Sequence, residues 1–190
     1  MDNDAPQTFV IDPSERPKGP ELEGLTLVQK IPGRHLKAIH AGHLRNIKEI
    51  RDLLDLVRAG RAEAGALKDQ LDQALFAQNL RGFGTLCGQE CQLLGFHHDA
   101  EEHGLFNELE TRGSDVIRSV VKRLREEHKI VHALLSRLDA AADTLQDAPS
   151  EDTFEAAAKL FELLEAAVMS HFAYEEETIA DAMGVYLEGP

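Results

Sequence analysis

The sequence predicts an all-α fold, an up-down-up-down four-helix bundle with an extended N-terminal arm. Four segments repeat apolar residues at spacings of three and four, as one face of an α-helix requires. Short polar connections join these segments, and short connections favour antiparallel neighbours. Apolar and polar residues nowhere alternate as they do in a half-buried strand. We therefore expect an arm over residues 1–32, the bundle over 33–184 and a tail over 185–190.

The arm is distinguished from the first helix by its prolines. They stand at positions 6, 13, 17, 20 and 32 and disfavour a regular helix there. The first helix is predicted over 33–59, with His40 and His43 inside its apolar stripe, and Gly60 helps to end it. Four apolar side chains of the arm are available to pack on the bundle: Leu22, Leu25, Leu27 and Val28.

The next segment, residues 66–110, is too long for one bundle helix at about 1.5 Å per residue. Gly82 and Gly84 predict a break and place the main second helix over 83–110. The third helix is expected over 115–145, capped by Ser114 or Asp115, and the fourth over 152–183. The predicted inward stripe of the second helix consists of Leu80, Cys87, Leu94, His97, Glu101, Leu105 and Glu108.

Charge and composition exclude several classes of partner. The net charge is -14, which argues against nucleic acid and anionic membrane, since both attract basic surfaces. No apolar run approaches the length of a membrane span, and no secretory leader is expected. Cys87 and Cys91, four residues apart in one helix, favour a reducing compartment and a cytoplasmic location. The oligomeric state stays open.

One six-residue pattern occurs twice, in the second helix as HHDAEE from His97 and in the fourth as HFAYEE from His171. Four residues along an α-helix make about 400° of rotation and about 6 Å of rise, so the His and the following Glu leave the same face. On an exposed face such a pair would be an ordinary i,i+4 contact. Both pairs, however, continue apolar stripes, where unpartnered polar groups are costly. The repeat therefore favours a buried metal site.

The residue types indicate two metal ions. His97 and His171 would each supply an imidazole, while Glu101 and Glu175 would bridge the ions together with a solvent hydroxide or oxide. Imidazole and carboxylate without thiolate suit iron, manganese or zinc. Cys87 lies about 15 Å along the helix from His97, which is too far to bind the same ions.

Other histidines extend the candidate set. His128 lies on the stripe of the third helix and is an expected ligand. His132 follows one turn later and is either a second ligand or a residue at the edge of the stripe. In the first helix we favour His40 over His43, because it follows Ile39 in the apolar stretch.

Two alternatives concern the neighbours of the repeated pattern. His98 could pair with Glu102 at the same spacing, but His97 with Glu101 matches the phase of the fourth helix, and we prefer it. Glu102 and Glu176 are expected either to face outward or to orient the ligands by hydrogen bonds.

Taken together, these residues resemble the hemerythrin-like cation-binding domain. The segments HHDAEEHGLFNEL, LREEHKIVHALL and HFAYEEETI are similar to its motifs, and the resemblance covers about residues 34–183. It implies a non-haem di-iron centre, two iron ions joined by an oxide or hydroxide bridge, between four antiparallel helices. The family pattern H…HxxxE…H…HxxxE is matched by His40, His97, Glu101, His128, His171 and Glu175.

The match to the oxygen-carrying hemerythrins is partial. These carriers have HxxxxD in the last helix, where this chain has HxxxE, although their third-helix HxxxH is matched by His128 and His132. The resemblance implies a protein that binds or senses oxygen, peroxide, nitric oxide or iron. The alternative is an enzyme on the same centre, with peroxide-decomposing or oxidase activity. A third hypothesis is an interaction module that holds one zinc ion or none. Glu-x-x-His and HExxH are missing, which argues against ferritin-type and zinc-protease sites.

Overall fold

The computed structural model describes residues 9–64 and 70–187, with side chains described outside 60–64, 70–79 and 81. Within these residues the regular structure is helical and contains no strand, which confirms the all-α prediction. The long elements are α1 (Ile31–Ala64), α2 (Gln70–Ala100), α4 (Asp115–Asp147) and α5 (Glu151–Tyr186). A π-helical turn, Glu101–Leu105, joins α2 to the short α3 (Phe106–Arg112).

The four long helices form a closed ring. α1 and α4 each pack against both α2 and α5, so α1 faces α4 across the bundle. The α1–α5 seam carries the ion pairs Arg51–Glu162 (3.0 Å) and Arg58–Glu155 (3.3 Å), and their order along the two chains shows that these helices are antiparallel. The predicted up-down-up-down bundle is confirmed.

Two apolar clusters divide the interior along the bundle axis. The larger cluster contains Leu54, Phe83, Leu138 and Phe161, and the smaller contains Leu36, Phe106, Ile117 and Ile179. Between them lies a layer of buried polar side chains: His40, His98, Glu101, Glu127, His128, His171 and Glu175. Charged or hydrogen-bonding groups in such a place require partners or an ion.

The second helix differs from its prediction. α2 continues through Gly82 and Gly84 without a break. A Cβ at Gly84 would lie 3.1 Å from the carbonyl oxygen of Ala142 on α4, so this glycine permits close helix packing. Packing thus outweighs the low helix propensity of glycine. The predicted end of the first helix near Gly60 is also too early, since α1 extends to Ala64; Gly65 lies outside the described residues.

The π turn displaces the predicted stripe by one residue. Beyond Glu101 the sequence places Leu105 and Glu108 inward, but the structure buries Phe106 and Leu109 completely and leaves Glu108 exposed. A π turn uses one residue more than an α-helical turn, and every later side chain is rotated accordingly. In α4, by contrast, one face is buried without interruption at helical spacing, and it consists of Ile117, Val121, Leu124, His128, Val131, Leu135 and Leu138.

Helix ends and single stripe residues follow local chemistry. Ser114 accepts a hydrogen bond from the backbone N–H of Ile117 and caps α4, while Ser150 and Thr153 form a reciprocal cap on α5. Ile39, predicted to face inward, is 49% exposed. Among the described residues, no helix is long and apolar enough to cross a membrane.

The arm lies along α4 and α5 from residue 9 onward; residues 1–8 and 188–190 lie outside the described range. Of the side chains expected to pack on the bundle, Leu22 and Leu25 are half-buried. Leu27 and Val28 are 77% and 57% exposed, because they stand in the turn that precedes α1. The anchoring apolar residue of this segment is Ile11, which is buried against the larger cluster.

Candidate metal centre

All four long helices contribute to the polar layer. Its ligand-type atoms form two neighbouring groups, and within each group the atoms lie within 4.8 Å of one another. The first group, which we call the mixed group, consists of His40, His97, Glu101 and Glu175. The second, the three-histidine group, consists of His98, His128 and His171.

Outer carboxylates fix three of these imidazoles. An ionised carboxylate can only accept hydrogen bonds, so the Nδ1 atom that it contacts carries the ring proton. The other ring nitrogen, Nε2, is then an unprotonated donor atom directed into the site, an arrangement typical of metal-binding histidines. The three pairs are His40 Nδ1 with Glu176 at 3.0 Å, His128 Nδ1 with Glu102 at 2.8 Å, and His171 Nδ1 with Glu127 at 3.2 Å.

These proton positions cause a repulsion within the three-histidine group. The Nε2 atoms of His128 and His171 lie 3.0 Å apart. With both rings protonated at Nδ1, two lone pairs face each other at this distance and repel. A cation bound by both nitrogens removes the repulsion.

The centre also gathers polar atoms that lack partners. Within the part of the chain that the structure describes, eight buried side-chain atoms of five residues make no hydrogen bond: His40 Nε2, His97 Nε2, both ring nitrogens of His98, and both carboxylate oxygens of Glu101 and of Glu175. Buried polar atoms are normally satisfied, and each failure costs about 1–3 kcal/mol. Neutral imidazoles and carboxylates gathered in this way fit a divalent or trivalent metal ion.

The two carboxylates ionise differently in the metal-free protein. Burial and the neighbouring charge of Glu175 raise the pKa of Glu101 far above its ordinary value. Burial also opposes ionisation of Glu175, but the imidazole of His40, 3.4 Å from its carboxylate, and that of His171 outweigh burial and hold the pKa of Glu175 low. The pair therefore shares one proton and one negative charge at neutral pH.

Three of the histidines are kept neutral at physiological pH, as metal ligands must be. Burial lowers the pKa of His97 to about 3 and that of His98 well below its ordinary value. Burial likewise lowers the pKa of His128, with Glu102 opposing the change. Their Nε2 lone pairs are consequently available for a cation.

Aromatic rings hold two ligands in place. The ring of Phe172 lies parallel to that of His40, with centroids 3.8 Å apart and an interplanar angle of 2°. Phe106 covers His128 at 5.2 Å. Since Phe106 reaches this position only through the π turn, the local helix distortion helps to build the site.

Arginines from the arm and from α4 pair with the outer carboxylates. Arg16 and Arg123 both donate to the fully buried Glu127, and Arg125 donates to Glu102. Burial opposes ionisation of Glu127, but hydrogen bonds with His171 and Arg16 lower its pKa to about 2. Both carboxylates that fix Nδ1 protons on this side are thus ionised at neutral pH.

The structure brings together six of the seven residues that the sequence proposes as ligands: His40, His97, Glu101, His128, His171 and Glu175. The seventh, His132, is half-buried and lies outside both groups, its ring centroid 6.4 Å from that of His128. His43 also lies outside them and bonds through Nδ1 to Glu90 at 2.7 Å.

His98 is the residue that the sequence reasoning passed over. Neighbouring residues on a helix point about 100° apart, and α2 packs against α1 on one side and α4 on the other. His97 therefore faces His40 of α1, while His98 stacks on His128 of α4 with centroids 4.0 Å apart. The sequence contains a signal for this arrangement, because His97 and His98 are each followed by a Glu four residues later. Two such pairs side by side indicate that α2 directs ligands toward both of its neighbours.

Comparison with known proteins gives a match to a protein family. No curated protein and no solved structure matches the chain. The model of the hemerythrin HHE cation-binding domain matches residues 31–183, which contain all of the bundle except the last three residues of α5. This match and the paired His–Glu groups identify the chain as a member of the hemerythrin HHE cation-binding family.

Proposed function

We propose that the protein is a cytoplasmic non-haem di-iron protein that binds or senses a small molecule such as oxygen, peroxide or nitric oxide. The observation that supports this most strongly is the convergence, among the described residues, of eight buried nitrogen and oxygen atoms without a hydrogen bond on one layer of the bundle. One ion would be held by the mixed group and the other by the three-histidine group. Glu101 and Glu175 lie between the groups and would bridge the ions.

The donor set supports iron. Imidazole and carboxylate without thiolate suit iron, and the nearest thiols belong to other parts of α2. Bound iron would supply an electron-rich site for oxygen-type ligands. The protein's own contribution is to orient the imidazoles through outer carboxylates, to keep His97, His98 and His128 neutral by burial, and to exclude bulk water with Phe106 and Phe172.

A surface cavity adjoins the three-histidine side. His128 and His132 line a surface cavity of about 330 Å³ together with Glu102 and Arg125. If Glu101 and Glu175 bridge the ions, each ion receives both carboxylates. The ion of the mixed group then has four protein donors and the ion of the three-histidine group has five, so the mixed side offers more open positions. The presence of His98 raises the number of protein donors to seven, which favours ligand binding over rapid turnover.

Metal stoichiometry tests the proposal directly. We expect two iron ions per chain after anaerobic loading with ferrous iron, and a near-ultraviolet absorption change on exposure to air. The matched control is His35→Ala, because His35 is exposed on the same helix as His40. His40→Ala should lower the iron content and the control should not. One zinc ion and no iron, or no metal at all, would refute the proposal.

The alternative function is an enzyme on the same centre. Stopped-flow mixing of the diferrous protein with oxygen, peroxide or nitric oxide separates the two. A stable optical change with one equivalent of ligand supports binding or sensing. Continued consumption of peroxide over many equivalents identifies an enzyme instead.

A further inference from the structure

The N-terminal arm contacts the bundle beside the metal centre. The hydroxyl of Tyr174 on α5 donates to the carbonyl oxygen of Pro17 at 2.9 Å. Arg123 on α4 donates to the carbonyl oxygen of Asp12 at 2.7 Å. A Cβ at Gly19 would lie only 2.9 Å from Cα of Thr178, so the arm rests directly on the α5 backbone.

Arg16 extends from this segment into the interior. Its Nε and Nη2 donate to the two carboxylate oxygens of Glu127 at 2.8 and 2.9 Å, a bidentate pair, and Nη2 also donates to the Ser170 carbonyl at 3.0 Å. The guanidinium lies 4.6 Å from the ring centroid of Tyr174. Such paired geometry is specific to arginine and restricts the carboxylate to one orientation.

Glu127 connects Arg16 to the metal centre. The same carboxylate contacts Nδ1 of His171, whose Nε2 faces the three-histidine group. Glu127 and His171 are both completely buried. If Arg16 withdrew, Glu127 would keep only Arg123 as a charged partner and would be free to rotate away from His171. Outer partners of this kind set both the orientation and the basicity of a metal-binding histidine.

We propose that the arm is part of the metal centre: Arg16 positions His171 through Glu127, so that arm docking and metal binding stabilise each other. This inference rests on the proposed metal-binding function. By thermodynamic linkage, the factor by which the docked arm strengthens metal binding equals the factor by which the metal strengthens docking. The arm is therefore expected to respond to whether the centre is loaded.

Affinity for ferrous iron tests the first half of the linkage. Arg16→Gln should weaken binding by about 10- to 100-fold, as loss of an outer partner typically does. It should also shift the absorption spectrum of the loaded protein, because His171 becomes less well oriented. Arg16→Lys keeps the charge without the bidentate geometry and should give an intermediate affinity. The matched control is Arg58→Gln, which breaks a two-carboxylate contact with Glu155 and Glu162 far from the centre and should leave both affinity and spectrum unchanged.

Limited trypsin digestion tests the second half without requiring a variant. Lys18 is exposed, but cleavage of the Lys18–Gly19 bond requires the arm to leave α5. When redocking is fast, the cleavage rate follows the undocked fraction. Loading with ferrous iron should slow this cleavage in the wild-type protein and in Arg58→Gln, and should have little effect in Arg16→Gln.

Three outcomes decide the inference. Slower cleavage on loading together with weaker binding in Arg16→Gln supports it. Equal cleavage with and without iron, or equal affinities in Arg16→Gln and wild type, overturns it while leaving a metal-binding protein. A wild-type protein that binds no ferrous iron refutes the proposed function itself, which is a distinct result.

Discussion

Replacing Glu101 by glutamine should stabilise the metal-free protein while removing its metal. Burial and the Glu175 charge keep the Glu101 carboxyl protonated in the metal-free fold at pH 7. In the unfolded chain the carboxyl has its ordinary pKa of 4.5 and is ionised above that pH. A glutamine amide has nearly the shape of the protonated acid and needs no proton. The substitution therefore removes the free-energy cost of protonation and also removes one bridging charge.

The magnitude follows from the two pKa values. An acid whose pKa is raised on folding loses stability as pH rises above the unfolded value. Ionisation of the unfolded chain lowers the free energy of unfolding by about 1.4 kcal/mol for each pH unit above the unfolded pKa. Since pH 7 lies roughly 2.5 units above that pKa, Glu101 costs the fold about 3 kcal/mol there. This cost does not depend on how far above 7 the folded pKa lies. Glu101→Gln should raise the free energy of unfolding of the metal-free protein by about this amount. At pH 5.5 the gain should shrink to about 1 kcal/mol.

Urea unfolding of chelator-treated protein, followed by circular dichroism, measures the difference. Glu108→Gln is the matched control, since Glu108 lies about two turns beyond Glu101 and is 54% exposed; it should change stability by less than about 0.5 kcal/mol. The reasoning is refuted if metal-free Glu101→Gln is no more stable than wild type at pH 7, or if the difference is the same at both pH values. With ferrous iron added, the order should reverse, because only the wild type gains binding energy.

Three further predictions concern other parts of the bundle. His98→Ala should reduce the iron stoichiometry and change the optical spectrum, while His132→Ala should leave the stoichiometry at the wild-type value; metal analysis of both variants decides this. Burial raises the pKa of the Cys91 thiol to about 12 and that of Cys87 further, so the folded protein at pH 8 should react with a disulfide reagent only as fast as it unfolds. Because unfolded thiols ionise above about pH 9 and the folded ones do not, the free energy of unfolding measured in urea should fall between pH 9 and 10 by about 1 kcal/mol per thiol. Gly84→Leu should lower the free energy of unfolding by about 1–3 kcal/mol, since its side chain would push α2 from α4, and thermal melts should show the loss.

The sequence was informative wherever one face of a helix decides burial. In α4 the spacing of apolar residues alone identifies the inward face, because that helix is regular from Ser114 to its end. Six ligand candidates are recoverable for the same reason: an inward polar residue in an apolar stripe needs a partner, and the histidines and glutamates repeat at helical spacing. The break predicted at Gly82 and Gly84 fails because glycine propensity is weaker than the packing that a missing side chain permits.

Other features depend on contacts that spacing does not encode. The π turn has no marker in the stripe, so the burial of Phe106 in place of Leu105 is visible only in three dimensions. His98 required knowing that α2 has neighbours on both sides. The contact of Arg16 with Glu127 joins residues 111 positions apart, and no local pattern connects an extended arm with the third long helix.

The π turn at Glu101–Leu105 limits how this centre could be transferred to another scaffold. An extra residue in one turn resets the direction of all later side chains by about 100°. A designer who grafted the same residues onto a regular helix would keep His97 and His98 in place, but would turn either Glu102 or Phe106 away from His128. The imidazole would then lose its proton acceptor or its aromatic cover. A faithful transplant must copy the irregular turn along with the ligands, and deleting a single residue from it would be a larger change than most substitutions.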